Sequence, residues 1–291
     1  MKRVVTIQDI SCIGKCSLTV ALPIISAMGT ETAIIPTAVL STHTAFHGGF
    51  TFHDLTSEIV PILNHWEKEA FSFDGIYTGY LGSLEQIDLM KDLISRFGSS
   101  PSTVKIVDPC MADGGRLYPG FDENFARHMA TLCAKADIIL PNLSEAAFLL
   151  GEKYLDGGYS EDDIKLLMKR LASLGAKCVI LKGVSFNEDQ PDLKGVSGKI
   201  GICSYDSTNG RFSWYFHKKI STSFHGTGDI FASVFTGALM KGFTIEKSYA
   251  LAGDFVVKAI EETLSHENHN TYGVDFEAVI PYLISEIEKR R

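Results

Sequence analysis

What most narrows the fold of this chain is an alternation. Short, nearly continuous apolar runs at 3–8, 32–37, 75–80, 104–107, 137–140 and 178–181 are separated by stretches with helical spacing. Apolar runs of that length suit strands buried on both faces. The spacing predicts helices over 18–28, 55–69, 84–96, 123–133, 143–150, 161–174, 229–241, 245–263 and 276–289. Ser160 ahead of Glu161, Asp162 and Asp163, with Gly175 after the last turn, marks one of these at both ends. Strand–helix alternation predicts an α/β layered fold around a mainly parallel sheet. The rhythm breaks at "KIGICSYD" and "RFSWYFH", which flank "STNG" and read as an antiparallel hairpin at a sheet edge. The polar stretch 187–198 reads as a surface loop. No linker stands out, so a single domain over 1–291 is expected.

With 291 residues, 45% of them hydrophobic, the chain can bury a large core. Its net charge of −8 and lack of a basic block argue against nucleic acid or an anionic membrane as partner. No run of apolar residues is long enough to span a bilayer, and "MKRVVTIQDI" lacks a signal-peptide pattern. Six scattered cysteines without a Cys-x-x-Cys pair suggest reduced thiols, hence a cytoplasmic protein. Cys110 reads either as a small buried thiol or as a redox-sensitive one. His43 and His47 have i, i+4 spacing but lack the glutamate of a zinc protease helix.

The stretch "FHGTGDIF" carries chemistry. Gly226 and Gly228 open the backbone at the start of a helix, where the amides of 226–229 can converge on an anion. Asp229 beside that nest can take a proton from an attacking hydroxyl, which is what phosphoryl transfer to an alcohol needs. The same residues also suit a glycine-rich turn with an acidic helix cap. Asp108 ends a strand and Asp113 follows in its loop, at the sheet end where α/β folds bind ligands. Two acids there could orient Mg²⁺ or simply form turns. Asn142 and Glu145 fit a capping box, and the pair could also reach a metal-bound water. Lys182 and Gly183 end another strand, where a lysine is either solvated or a counter-charge to polyphosphate. A P-loop is absent, and no Gly-x-Gly-x-x-Gly follows the first strand.

These motifs in this order resemble pyridoxal kinases of the ribokinase-like superfamily. The matching residues are Ile7–Gln8, "STHTAF" at 41–46, "GYLGS" at 79–83, "DPCMAD" at 108–113, "PNLSEAAFLLG" at 141–151 and "HGTGDIF" at 225–231. The resemblance implies a three-layer α/β/α fold and phosphorylation of the 5′-hydroxymethyl group of a vitamin B6 vitamer by ATP. It implies Asp229 as base and Gly226, Thr227 and Gly228 as the anion hole. Asp108, Asp113, Asn142, Glu145, Lys182 and Gly183 are then expected to serve ATP, with Mg²⁺ at Asp113 and Glu145, partly through water. Thr44 and Tyr80 are expected to line the pyridine pocket, with Gln8, Asp9, Ser11 and His43 around it. A monovalent cation such as K⁺ and a homodimer complete the family's pattern.

Two departures affect the expectation. Asp9 stands where the family commonly has serine, unless Ser11 substitutes, and "GKCSL" replaces a Gly-Asn pair. A carboxylate at that point would favour a ring donor, such as the 4′-amine of pyridoxamine or an aminopyrimidine. The alternatives are a hydroxymethylpyrimidine or other small-alcohol kinase of the same superfamily, and a nucleotide- or vitamer-binding protein without turnover.

Overall fold

The computed structural model describes residues 1–44, 46, 48–156, 159–186, 196 and 199–289. His47 and, apart from Val196, the expected loop over 187–198 lie outside the described residues. The chain runs β1 (Arg3–Ser11), α1 (Leu18–Ala27), β2 (Glu31–Leu40), β3 (Phe52–Asp54), α2 (Thr56–Lys68), β4 (Gly75–Thr78), α3 (Leu84–Phe97) and β5 (Val104–Val107). It continues through β6 (Ala112–Asp113), β7 (Arg116–Leu117), α4 (Glu123–Cys133), β8 (Ile138–Ile139), α5 (Leu143–Leu150) and α6 (Glu161–Ser173). The last elements are β9 (Cys178–Val184), β10 (Lys199–Asp206), β11 (Arg211–Lys218), α7 (Thr227–Met240), α8 (Ile245–Leu264) and α9 (Phe276–Lys289). The strands pair mostly in parallel, and the α/β class and antiparallel hairpin expected from the sequence are both present.

Contacts divide the chain into two compact units. The first comprises Met1–Gly82, Ser95–Thr103 and Ile220–Arg291. In it, β1 lies between β4 and β2, parallel to both, and β3 adds an antiparallel edge to β2. Val4, Val5 and Ile7 of β1 are fully buried, as a strand covered on both faces requires. Helix α1 packs on β1, β2 and α7, and α7 in turn on α8. Helix α7 is buried almost all round, which explains its continuous apolar run.

The second unit comprises Ser83–Ile94 and Val104–Lys219. Its strands run in the order β5, β8, β9, β10, β11, the first three parallel and the last two antiparallel. Helices α5 and α6 pack on β9 and on each other. Ser160 and Asp163 form a reciprocal capping box at the start of α6, as the acidic first turn suggested. Asp206 closes the hairpin turn by accepting from the Thr208 amide at 2.9 Å and from the Thr208 hydroxyl at 2.6 Å.

Several boundaries differ from the sequence reading; β2 runs on to Leu40 and β4 stops at Thr78. Strand β1 does not stop at Gln8 but passes a register shift between Gln8 and Ile10 and pairs on to Ser11. Its ladder needs only backbone, and Asp9 satisfies its own polarity by accepting from Ser11 Oγ at 2.9 Å. Strand β9 likewise carries on through Lys182 and Gly183 to Val184. The short strands β3, β6 and β7 were not expected, since two or three residues show no period.

Phe235 of α7 is fully buried. Phe235→Ala should lower unfolding stability by about 3–5 kcal/mol, read from denaturant midpoints. A loss under about 1 kcal/mol would mean that α7 is not packed as described.

Candidate active site

In the first unit the site begins at the mouth of α7. Gly226 caps the helix at φ 78°, a conformation natural to glycine, and a Cβ there would overlap the Lys15 carbonyl oxygen. The first-turn amides that follow have no carbonyl four residues back within the helix, and a helix start of this kind favours an anion. Gly228 is exposed and Gly226 and Thr227 half-buried, so this turn is open to solvent. Asp229, by contrast, is buried, and its Oδ2 accepts from the Ser17 backbone amide at 3.0 Å. Ser17 is the N-cap residue of α1. The carboxylate therefore sits at the amide-rich ends of two helices, α1 and its own α7, a position that favours negative charge.

Asp9 belongs to the same neighbourhood. Asp9 and Ser11 are two residues apart on one strand and share a face. Burial raises the Asp9 carboxyl above its ordinary value, against hydroxyl hydrogen bonds from Ser17 and Ser11. The buried Cys16 thiol is pushed well up by burial and by the nearby Asp229 and Asp9. Ser17 thus lies near both carboxylates, and its amide donates to Asp229.

His43 is buried, its ring 4.9 Å from that of His225, the residue before Gly226, and 4.6 Å from Phe46. Its pKa is lowered by burial and by His225, so the imidazole is neutral at physiological pH. Thr44 is exposed and Tyr80 half-buried. Gln8 is fully buried and gives its Nε2 to Thr6 Oγ1 at 2.8 Å. The structure thus pairs Ser11 with Asp9 and Ser17 with Asp229 in one neighbourhood, and brings His43 beside the residue preceding Gly226.

The second unit holds the other candidates. Asp108 is buried, and both its oxygens accept from Lys182 Nζ, at 2.9 and 2.8 Å. Lys182 is therefore neither solvated nor a loose counter-charge. Burial pulls its pKa down, and Asp108 and Glu145 more than reverse this. Burial raises Asp108 against the pull of the ammonium. Glu145 is also buried; it accepts from the Asn142 amide at 2.8 Å and the Met111 amide at 3.3 Å. Asn142 accepts from the Glu145 amide at 2.8 Å, completing a capping box, and its Nδ2 reaches the Ala112 carbonyl at 2.8 Å. The pair thus fastens the 111–112 segment to the start of α5. Asp113 is exposed and accepts from the Gly114 amide at 2.8 Å. Gly183 is exposed at φ 73°.

Among the described residues no cluster of three or more histidines, cysteines or carboxylates could by itself hold a metal. The donors fit a magnesium ion that arrives with a nucleotide and keeps most of its waters, since such an ion needs only one or two carboxylates. Glu145, through water, and the exposed Asp113 are the residues that could meet it.

Sequence reasoning missed Ser17 and Lys15. A serine directly before an apolar helical run is a cap signal, so Ser17 could have been found. Nothing local marks Lys15, whose partners lie 260 and 262 residues away.

With this geometry in hand, the comparisons are specific. Residues 22–274 match the phosphomethylpyrimidine kinase family, and the chain belongs to that family. It is a kinase of the group that also includes pyridoxal kinases. It is 31% identical over 230 residues to the hydroxymethylpyrimidine/phosphomethylpyrimidine kinase of Bacillus subtilis, covering 78% of each chain. It resembles a candidate phosphomethylpyrimidine kinase from Bacteroides thetaiotaomicron solved with pyridoxal, with a TM-score of 0.89 and 36% identity over 97% of this chain and 95% of that one. Pyridoxal kinase from Lactobacillus plantarum gives 0.87 and 27% identity, covering 100% of this chain and 99% of that one. Among the described residues no helix is long and apolar enough to cross a membrane.

Burial, opposed most by Lys182 and then by the two amides and assisted by Asp108, holds Glu145 at about 8, above its ordinary 4.5. The folded protein then keeps a proton that the unfolded chain releases near 4.5, so stability falls as pH rises from there to about 8. Glu145→Gln should flatten this decline in denaturant midpoints taken across the window, leaving the parts from Asp9 and Asp108, whose carboxyls burial also raises. A decline as steep as in the parent would contradict the assignment.

Proposed function

We propose that this kinase transfers the γ-phosphoryl group of ATP to the 5′-hydroxymethyl group of a vitamin B6 vitamer: pyridoxal, pyridoxamine or pyridoxine. The observation that carries the reading is Asp229, buried beside an open glycine turn and held by the Ser17 amide. In this reading Asp229 takes the hydroxyl proton as the oxygen attacks phosphorus. The amides of 226–229, with Gly226, Thr227 and Gly228, stabilise the charge on the transferred group. Asp108, Asn142, Lys182 and Gly183 belong to the nucleotide end, with Mg²⁺ at Asp113 and Glu145 balancing phosphate charge when bound. Gln8, Asp9, Ser11, His43, Thr44 and Tyr80 belong to the acceptor end. The pyridoxal in the structure of a 36% identical protein supports a B6 substrate. A K⁺ requirement, a homodimer and a cytoplasmic location rest on the pyridoxal-kinase resemblance and the composition.

Hydroxymethylpyrimidine is the second reading. The family match and the 31% identical Bacillus subtilis relative favour it. Both substrate classes present a hydroxymethyl group on a nitrogen heterocycle, so the same base serves either. Asp9 bears on the choice: a buried carboxylate pairs with a ring donor better than with an aldehyde.

ADP release with Mg·ATP should be measured against the three vitamers and hydroxymethylpyrimidine, for the parent and Asp229→Asn. Turnover on a B6 vitamer and a loss of at least about a hundredfold in the variant are expected. Turnover confined to hydroxymethylpyrimidine would install the second reading, and an Asp229→Asn enzyme of parental rate would remove the base. In the same assay, kcat/KM for pyridoxamine should at least equal that for pyridoxal, and Asp9→Ser should reverse the order. A strong preference for pyridoxal that Asp9→Ser leaves unchanged would refute the role given to Asp9.

A further inference from the structure

The turn at 14–17 supports the proposed base through its backbone alone. The Ser17 amide bonds Asp229, and the Lys15 carbonyl lies against Gly226. That turn is not restful: Ser17 has φ 52° and ψ −134°, a conformation that residues with side chains seldom adopt. Strained residues persist at sites where the surroundings over-determine them.

Thr19 Oγ1 donates to the Gly14 and Cys16 carbonyls within the turn, and Lys15 ties the turn to a distant segment. Its Nζ lies 2.6 Å from Asp275 Oδ1 and 2.8 Å from Glu277 Oε2, and 5.9 Å from the Phe276 ring centroid. Its stem packs on Gly273, where a Cβ would come within 2.6 Å of Lys15 Cβ. The far side of this clamp has supports of its own. The Asp275 amide donates to Thr263 Oγ1 at 2.7 Å, and Asn270 Nδ2 donates to Asp275 Oδ1 at 3.0 Å. Loss of the ammonium would remove the side-chain tie between the 14–17 turn and the 270–277 segment. An ion pair this dependent on one cation and two carboxylates is a network, not an isolated surface bridge.

We propose that Lys15 is a positioning residue for Asp229. Its ammonium, gripped by Asp275 and Glu277, fixes the turn that supplies the Asp229 hydrogen bond and seats Gly226. This rests on Asp229 acting as the base of the proposed reaction.

The test is Lys15→Met, which keeps the stem against Gly273 and removes the charge, with Lys15→Arg as the conservative variant. Full-length protein is assayed for kcat and acceptor KM, and backbone hydrogen exchange is read without ligand. Lys15→Met should lower kcat about tenfold or more while KM changes by less than about threefold, since a small misplacement of a reacting group costs rate more than binding. Ser17 exchange should quicken by about tenfold or more with α8 unchanged, and Lys15→Arg should recover most of both effects. Parental kcat with parental Ser17 exchange would overturn the proposal, as would faster exchange throughout α8, which marks general destabilisation. If the parent turns over no acceptor, the proposed reaction fails, and Ser17 exchange alone then decides the clamp.

Discussion

The hydrogen bond from the Ser17 amide to Asp229 is the interaction on which the first unit's site depends. It joins the start of α1 to the first turn of α7, elements more than two hundred residues apart in sequence. A carboxylate at a helix N-terminus is unremarkable on a surface, where it caps its own helix. Here its Oδ2 accepts from the first residues of a second helix, at the end of α7 where backbone amides favour negative charge. Gly226 makes this possible by taking a left-handed φ at a point where a side chain would strike the Lys15 carbonyl.

The second unit solves a different problem. Asp108, Glu145 and Lys182 are charged groups buried together, and burying them is costly unless each finds partners. Lys182 gives its ammonium to Asp108, and Glu145 takes two backbone amides. The result leaves one carboxylate poorly compensated, which is why Glu145 is held at about 8. A divalent cation nearby would supply the missing charge.

Much of the fold was legible because buried strands and amphipathic helices have distinct periods. The helices around Leu143–Leu150, Glu161–Ser173 and Phe276–Lys289 follow the apolar spacing closely. The hairpin was marked by its turn residues. Strand ends were less legible, since pairing at Ile10, Ser11 and Lys182 depends on backbone partners elsewhere in the chain. The site was legible where chemistry is local, as in the glycine turn with Asp229 and the Asn142–Glu145 box. It was not legible where partners are distant: the pairing of Asp108 with Lys182, and of Lys15 with Asp275, has no sequence period.

The central claim is that Asp229 faces the reacting hydroxyl while Ser17 holds it. A crystal structure with a B6 vitamer and a non-hydrolysable ATP analogue tests this most directly. The account predicts the hydroxymethyl oxygen within about 2.6–3.2 Å of an Asp229 carboxylate oxygen, with the Ser17 bond retained. A bound vitamer whose hydroxymethyl group points away from Asp229, or toward another carboxylate, would contradict it.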